Sequence, residues 1–366
     1  MGRACYGDRQ ASARLLLIGI VAVYGCRRRE LPPKPIVERF VDNGILANPE
    51  SKSKSAQVGV AISDMNGDGV PDFVTASPQK VKWFARTPSS KAPRYADQGI
   101  IGDPGSKHDG DLAGVGVAVQ DIDGDGDPDV ITASAQRLKL FENIGSAKKP
   151  HFADRGVVGN PQSKHAGSGV SVAIADIDRD GDFDLITASP QHIKLFRNTG
   201  SATKPEWSDE GVIGDPDSKY DGAGVGVALA DVDADGNVDI ITSSPQKVKL
   251  FLNKGSASSR QFSDLGVIGE PDSKYAGAGV GVSVGDVDGD GDLDIVTASP
   301  QRIKLFQNVG PAPQPRFADK GILGDPESRF DGAGVGVAMA DLDNDGDLDL
   351  LVASTQAVKY FENKGP

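Results

Sequence analysis

Cysteine is almost missing from this chain, with two in 366 residues, Cys5 and Cys26, both near the N-terminus. A disulfide framework is therefore excluded as the source of stability for the rest of the molecule. Histidine is scarce too. The four histidines, His108, His151, His165 and His192, stand in no Ser/His/Asp or metal-ligand pattern, which argues against an enzyme. Long apolar runs are also lacking. Residues 15–24 (LLLIGIVAVY) are too few to span a bilayer, and no extended 3.6-residue apolar period suggests a helix. Positive charge is in deficit, 39 Lys and Arg against 52 Asp and Glu, and no basic stripe offsets the net −13. Nucleic-acid binding is disfavoured on that ground.

What the chain has in abundance is one aspartate-rich nonapeptide, DxDxDGxxD or a close variant, starting at Asp64, Asp121, Asp176, Asp231, Asp286 and Asp341. Successive copies are 57, 55, 55, 55 and 55 residues apart, so a unit of about 55 residues is repeated. Loop positions 1, 3, 5 and 9 carry oxygen ligands: Asp64, Asn66, Asp68 and Asp72; Asp121, Asp123, Asp125 and Asp129; Asp176, Asp178, Asp180 and Asp184; Asp231, Asp233, Asp235 and Asp239; Asp286, Asp288, Asp290 and Asp294; Asp341, Asp343, Asp345 and Asp349. Hard oxygens in this number suit Ca²⁺, with the position 7 carbonyl as a further ligand, and the glycine at position 6 permits the turn that returns position 9 to the ion. An EF-hand would need Glu at position 12, where Thr75 and Thr242 stand, and helices on both flanks. The flanks VGVALAD and VDIITSS instead read as strands, which places the loop in a β-hairpin. Outside residues 1–25 the formal charge is −15, and up to six bound Ca²⁺ would bring it to about −3.

The repeat predicts an all-β fold: a six-bladed β-propeller of four-stranded antiparallel blades. Gly-rich segments such as Gly224-Val225-Gly226-Val227 suit the crowded inner strand. An aromatic start recurs at Phe40, Tyr95, Phe152, Trp207, Phe262 and Phe317, and the last copy ends after its third strand. The expected closure pairs the N-terminal strand at Phe40 into the last blade, which removes two open edges. On the third strands, Phe84, Phe141, Phe196, Phe251, Phe306 and Phe361 each follow a lysine by two residues. The spacing predicts core packing between neighbouring sheets, with each lysine head reaching solvent.

The stretch AGVGVALADVDADGNVDIITSSPQKVKLFLN resembles the FG-GAP repeat of integrin α-subunit propellers and the related VCBS repeats of bacterial surface proteins. The FG position appears as Val225-Gly226 and the GAP position as Ser243-Ser244-Pro245. The resemblance runs from about residue 36 to the end. It implies metals in the hairpin between the first and second strands on one face of the disc, and ligands or partners on the other. It implies seven blades in integrins, where this chain has six copies.

Residues 1–25 read as a lipoprotein-type signal peptide, with Val23-Tyr24-Gly25-Cys26 as a lipobox and Cys26 as the lipidated residue. Residues 26–35 read as a basic, proline-containing tether, and residues 36–366 as the propeller. The expected location is extracytoplasmic, in a bacterial cell envelope or secreted, with membrane contact only through the lipid. Between blades, Pro-x-Ser-Lys/Arg precedes a ring, giving Lys107 with His108, Lys164 with His165, Lys219 with Tyr220, Lys274 with Tyr275, and Arg329 with Phe330. A charge beside an aromatic face is a platform for a sugar or peptide. The functional expectation is a calcium-stabilised, monomeric binding or scaffold module for a protein or glycan. The alternative is a propeller enzyme acting on an extracellular polysaccharide.

Overall fold

The computed structural model describes residues 34–365 apart from 54–55, 89–91, 107–113, 147, 166, 202, 256–260 and 329–332. A 3₁₀ turn, Ile36–Glu38, precedes β1 (Phe40–Ala47), and every other regular element described is a strand. The first repeat supplies β2 (Gly59–Ser63), β3 (Asp72–Ser77), β4 (Lys80–Arg86) and β5 (Tyr95–Gly102). The second supplies β6 (Gly114–Gln120), β7 (Asp129–Ser134), β8 (Arg137–Asn143) and β9 (Phe152–Gly159). The third has β10 (Gly169–Ala175), β11 (Asp184–Ser189), β12 (His192–Asn198) and β13 (Trp207–Gly214). The fourth has β14 (Gly226–Ala230), β15 (Asp239–Ser243), β16 (Val248–Asn253) and β17 (Phe262–Gly269). The fifth has β18 (Gly281–Gly285), β19 (Asp294–Ser299), β20 (Arg302–Asn308) and β21 (Phe317–Gly324). The sixth has β22 (Gly336–Ala340), β23 (Asp349–Ala353) and β24 (Val358–Asn363), and β1 pairs antiparallel with β24 from Phe40–Asn363 to Ala47–Val358.

The expectation of six separate four-stranded blades is corrected. Hydrogen bonding yields four sheets of four strands, and the other eight strands form one continuous sheet. In that sheet the second and third repeats are fused, because β6 and β10 run parallel and pair at Gly114–Gly169 and Val115–Val170. Glycine permits this approach all round the axis, since a Cβ on Gly114 would stand 2.6 Å from the Cα of Gly169 and one on Gly169 2.8 Å from that of Gly224. The fusion adds one parallel pair to a contact the other repeats also make. Elsewhere the inner strands meet only as single parallel bridges, Val58–Val115, Val170–Val225, Val225–Val280, Val280–Val335 and Val58–Val335. Together with Val115–Val170, these contacts make a closed cycle of six valines.

The axis is not symmetric. Gly114, Gly169, Gly224, Gly279 and Gly334 hold equivalent places, and a Cβ at any of them would collide with the side chain of Gln57, the residue in the sixth place. One glutamine thus fills space that five glycines leave open.

The second strand of each repeat is buried along its whole length, since neighbouring sheets cover both its faces. The third-strand phenylalanines lie between sheets as expected. The rings of Phe141, Phe196, Phe251, Phe306 and Phe361 touch the last glycine of the preceding outer strand, from Gly102 to Gly324. The outer strands are bulged beside a glycine with φ between +82° and +100°, as at Gly99 and Gly266. Such bulges twist an exposed edge away from further pairing.

Candidate functional site

Each aspartate-rich nonapeptide joins the first and second strands of its repeat, so all six loops lie at one end of the strands. Its first carboxylate organises the turn. In the fourth copy Asp231 accepts the backbone N–H groups of Asp235 at 3.0 Å and Gly236 at 2.8 Å, and Asp235 accepts that of Asn237 at 2.9 Å. Position 6 is a glycine at φ +85° to +96° in every copy. Position 4 is also left-handed in every copy, and Arg179, Ala234 and Asn344 adopt it without being glycine.

The position 9 aspartate has a second role that the spacing alone did not reveal. Asp239 accepts the Val232 N–H at 2.9 Å and, across the sheet, the Asn253 N–H at 2.8 Å. It thereby ties the loop to both the first and third strands. The same cross-sheet bond joins Asp72 to Arg86, Asp129 to Asn143, Asp184 to Asn198, Asp294 to Asn308 and Asp349 to Asn363. Burial is the main cause that pushes Asp72 and Asp239 up to about 6, and Asp129, Asp294 and Asp349 up to about 7, against the pull of those N–H donors.

The donor sets fit a hard cation. Ligand oxygens within 4.8 Å of one another come from Asp121, Asp123 and Asp129; Asp176, Asp178 and Asp180; Asp231, Asp233 and Asp239; Asp286, Asp288 and Asp290; and Asp341, Asp343 and Asp349. Asp233 is fully buried, yet its Oδ1 has no hydrogen-bond partner, and the buried Oδ1 of Asp121 has none either. Orphaned carboxylate oxygens in a cluster of anions are what a bound cation would satisfy. The first copy, with Asp64, Asn66, Asp68 and Asp72, offers one carboxylate fewer. There the Asn66 side chain accepts the Asp68 N–H at 3.0 Å.

The third-strand lysines contradict the expectation of solvent-directed heads. Lys82, Lys139, Lys194, Lys249, Lys304 and Lys359 are all buried. Their ammonium groups lie 2.6–2.7 Å from Asp97, Asp154, Asp209, Asp264, Asp319 and Asp42 on the outer strands. Each also sits 4.9–5.3 Å from the centroid of the phenylalanine two residues on. Burial works to lower the pKa of Lys304, but the carboxylates of Asp272 and Asp319 outweigh it and the net shift is upward. A clue was available in the sequence, since the aromatic-x-Asp-x-Gly start supplies one aspartate per lysine.

The Lys-aromatic segments connect each outer strand to the next repeat, at the end opposite the loops. Tyr220 and Tyr275 are exposed, and His165 stands 3.1 Å from Asp221 of the next segment with about half of its side chain exposed. Lys164, Lys219 and Lys274 accompany them, and all three are exposed or nearly so. The segments are anchored underneath by a left-handed residue between Pro and Ser, such as Asp217 at φ +58°, which pairs with Lys247. Lys107, His108, Arg329, Phe330 and Cys26 lie outside the described residues. Among the described residues, no helix is long and apolar enough to cross a membrane.

A family profile described as FG-GAP-like repeat matches residues 121–187, 176–242, 231–297 and 286–352. No curated protein gives a significant match. Among solved structures, a Trichoderma reesei carbohydrate-active enzyme of family AA12 aligns over 89% of this chain and 96% of its own, at 10% identity and a TM-score of 0.52. An Agrocybe aegerita lectin that recognises non-reducing terminal N-acetylglucosamine aligns over 81% of this chain and 74% of its own, at 19% identity and a TM-score of 0.49. A Photorhabdus luminescens Tc holotoxin chain aligns over 91% of this chain, which spans 15% of that protein, at 18% identity and a TM-score of 0.46. The likeness to the first of these concerns the fold alone.

Proposed function

The chain belongs to the FG-GAP-like repeat family, and from that premise we propose that it is a calcium-stapled, non-catalytic binding module. Its loops hold Ca²⁺ at one end of the ring, and a glycan or protein partner engages the Lys-aromatic segments at the other. The observation that carries this reading is the division of labour between the two ends. At the loop end the acidic side chains converge on one another, whereas at the other end His165, Tyr220 and Tyr275 stand exposed on consecutive connections. Rings held on anchored turns offer contact area at little entropic cost. The N-terminal segment completes the reading, with residues 1–25 as a signal peptide and Cys26 as a lipid anchor outside the cytoplasm. Labelling with palmitate, with and without Cys26→Ala, tests that anchor.

The binding face is tested by presenting the calcium-loaded chain to a glycan array and to displayed envelope proteins. Tyr220→Ala/Tyr275→Ala is expected to lower any calcium-dependent binding by roughly tenfold or more, as for truncated aromatic anchors. Binding that survives the double substitution, or no binding to either class, contradicts the assignment.

A further inference from the structure

The six loops differ in one respect that their own sequences do not show. In the second, fifth and sixth repeats the residue directly after the third-strand phenylalanine lies beside the loop's position 3 side chain, whereas the first has Ala85 there and the third has Arg197, which bonds Glu210. In the fifth repeat Gln307 donates a hydrogen bond to Asp288. In the sixth, Glu362 stands beside Asp343, accepts a hydrogen bond from Asn43 of the closing strand at 2.6 Å, and pairs with Lys364, the counterpart of Lys254 in the fourth repeat. In the second, Glu142 shares a cavity of about 380 Å³ with Asp123 and Trp207, and is oriented by two bonds of 2.7 and 2.8 Å from Arg155. The fourth repeat has Leu252 at this place, and Lys254, two residues on, extends to the loop instead. Its ammonium contacts Asp233 and lies 3.6 Å from Asp235. Lys254 leaves Asp233 Oδ1 without a partner.

We propose that this cross-sheet position grades the six loops. Glu142 adds a carboxylate to the second loop, Lys254 places a tethered ammonium in the fourth loop where it competes with a cation, and the sixth loop, with Glu362 and Lys364 paired beside it, falls between them. Cation affinity in oxygen sites rises with the number of charged ligands, and a fixed positive charge at contact distance opposes a second one. The second loop therefore fills before the fourth. The first loop is also weakened, by Asn66 in place of aspartate and by the buried Arg86 at the place that asparagine holds in the other repeats.

This inference rests on the calcium reading above, and the test separates the two. Calcium titration of the full chain by calorimetry is expected to resolve at least two classes of site. Glu142→Gln should move one site from the tight to the weak class, by roughly tenfold or more, and Lys254→Met should tighten one weak site. Terbium supplies a second readout, because Trp207 lines the cavity that holds Asp123. In a Trp83→Phe background, which removes the indole bonded to Asp72 of the first loop, the early part of the terbium emission sensitised by Trp207 should shift to higher terbium in Glu142→Gln. A single class of sites unmoved by both substitutions overturns the grading and leaves the calcium reading intact. No calcium binding at all overturns both.

Discussion

At the scale of the residue, the loops are built from backbone geometry that some side chains resist. Ala234 sits at φ +55°, where Gly67, Gly124 and Gly289 serve in sister loops. Ala234→Gly is expected to stabilise the chain by about 1 kcal/mol, by removing the left-handed strain, as read from the denaturant midpoint. The buried position 9 aspartates give a pH signature. The folded values of Asp129, Asp239, Asp294 and Asp349, about 6 to 7, stand above the ordinary value of 3.8. Between about pH 4 and pH 7 the native state then binds more protons than the unfolded one, so stability contributed by these groups is present at low pH and lost as pH rises through 6 to 7. In chelator, the thermal midpoint is expected to be higher at pH 5 than at pH 8. With calcium present the trend should weaken or reverse, since the metal needs ionised carboxylates.

At the scale of the element, the unit of construction is the pair formed by a third strand and an outer strand, locked by a buried lysine and an aspartate. The chain's two ends are joined by the same device, Lys359 with Asp42 at 2.6 Å. Asp42→Ala would leave a buried ammonium without its closest carboxylate. Because Asp42 is itself part-exposed, the expected loss is about 2 kcal/mol, less than for a fully buried pair. Asp42→Asn, which keeps an acceptor, should lose less, and the denaturant midpoints of the two variants check this order. The strands, the hairpin loops and the pairing of the strand at Phe40 into the last blade were legible in the sequence, because copies at a fixed spacing expose their own boundaries. The lysine heads were misread because a lysine two residues before a phenylalanine looks the same whether its ammonium meets water or a carboxylate 15 residues ahead, as Lys249 meets Asp264.

At the scale of the molecule, the ring closes through the valine cycle around Gln57, and its sheets are not six equal blades. The fusion of the second and third repeats could not be read from a 55-residue period, because it is one extra parallel pair, Gly114–Gly169, at an axis where the equivalent glycines of the other repeats also approach closely. The position of Gln57 was equally hidden, since only the closed ring brings it against five glycines. Gln57→Gly is expected to empty that space and lower the thermal midpoint by a few degrees, through lost contacts at the axis.

The central claim is that calcium in the six loops staples this cysteine-poor ring. The most direct test is the thermal midpoint of the full chain in millimolar calcium against the same chain in excess chelator. Binding to the folded state at ten times the dissociation constant contributes about 1.4 kcal/mol per site. Over the loops of a chain of this size, the expected fall on chelation is roughly 10 °C. A midpoint unchanged by chelation contradicts the account.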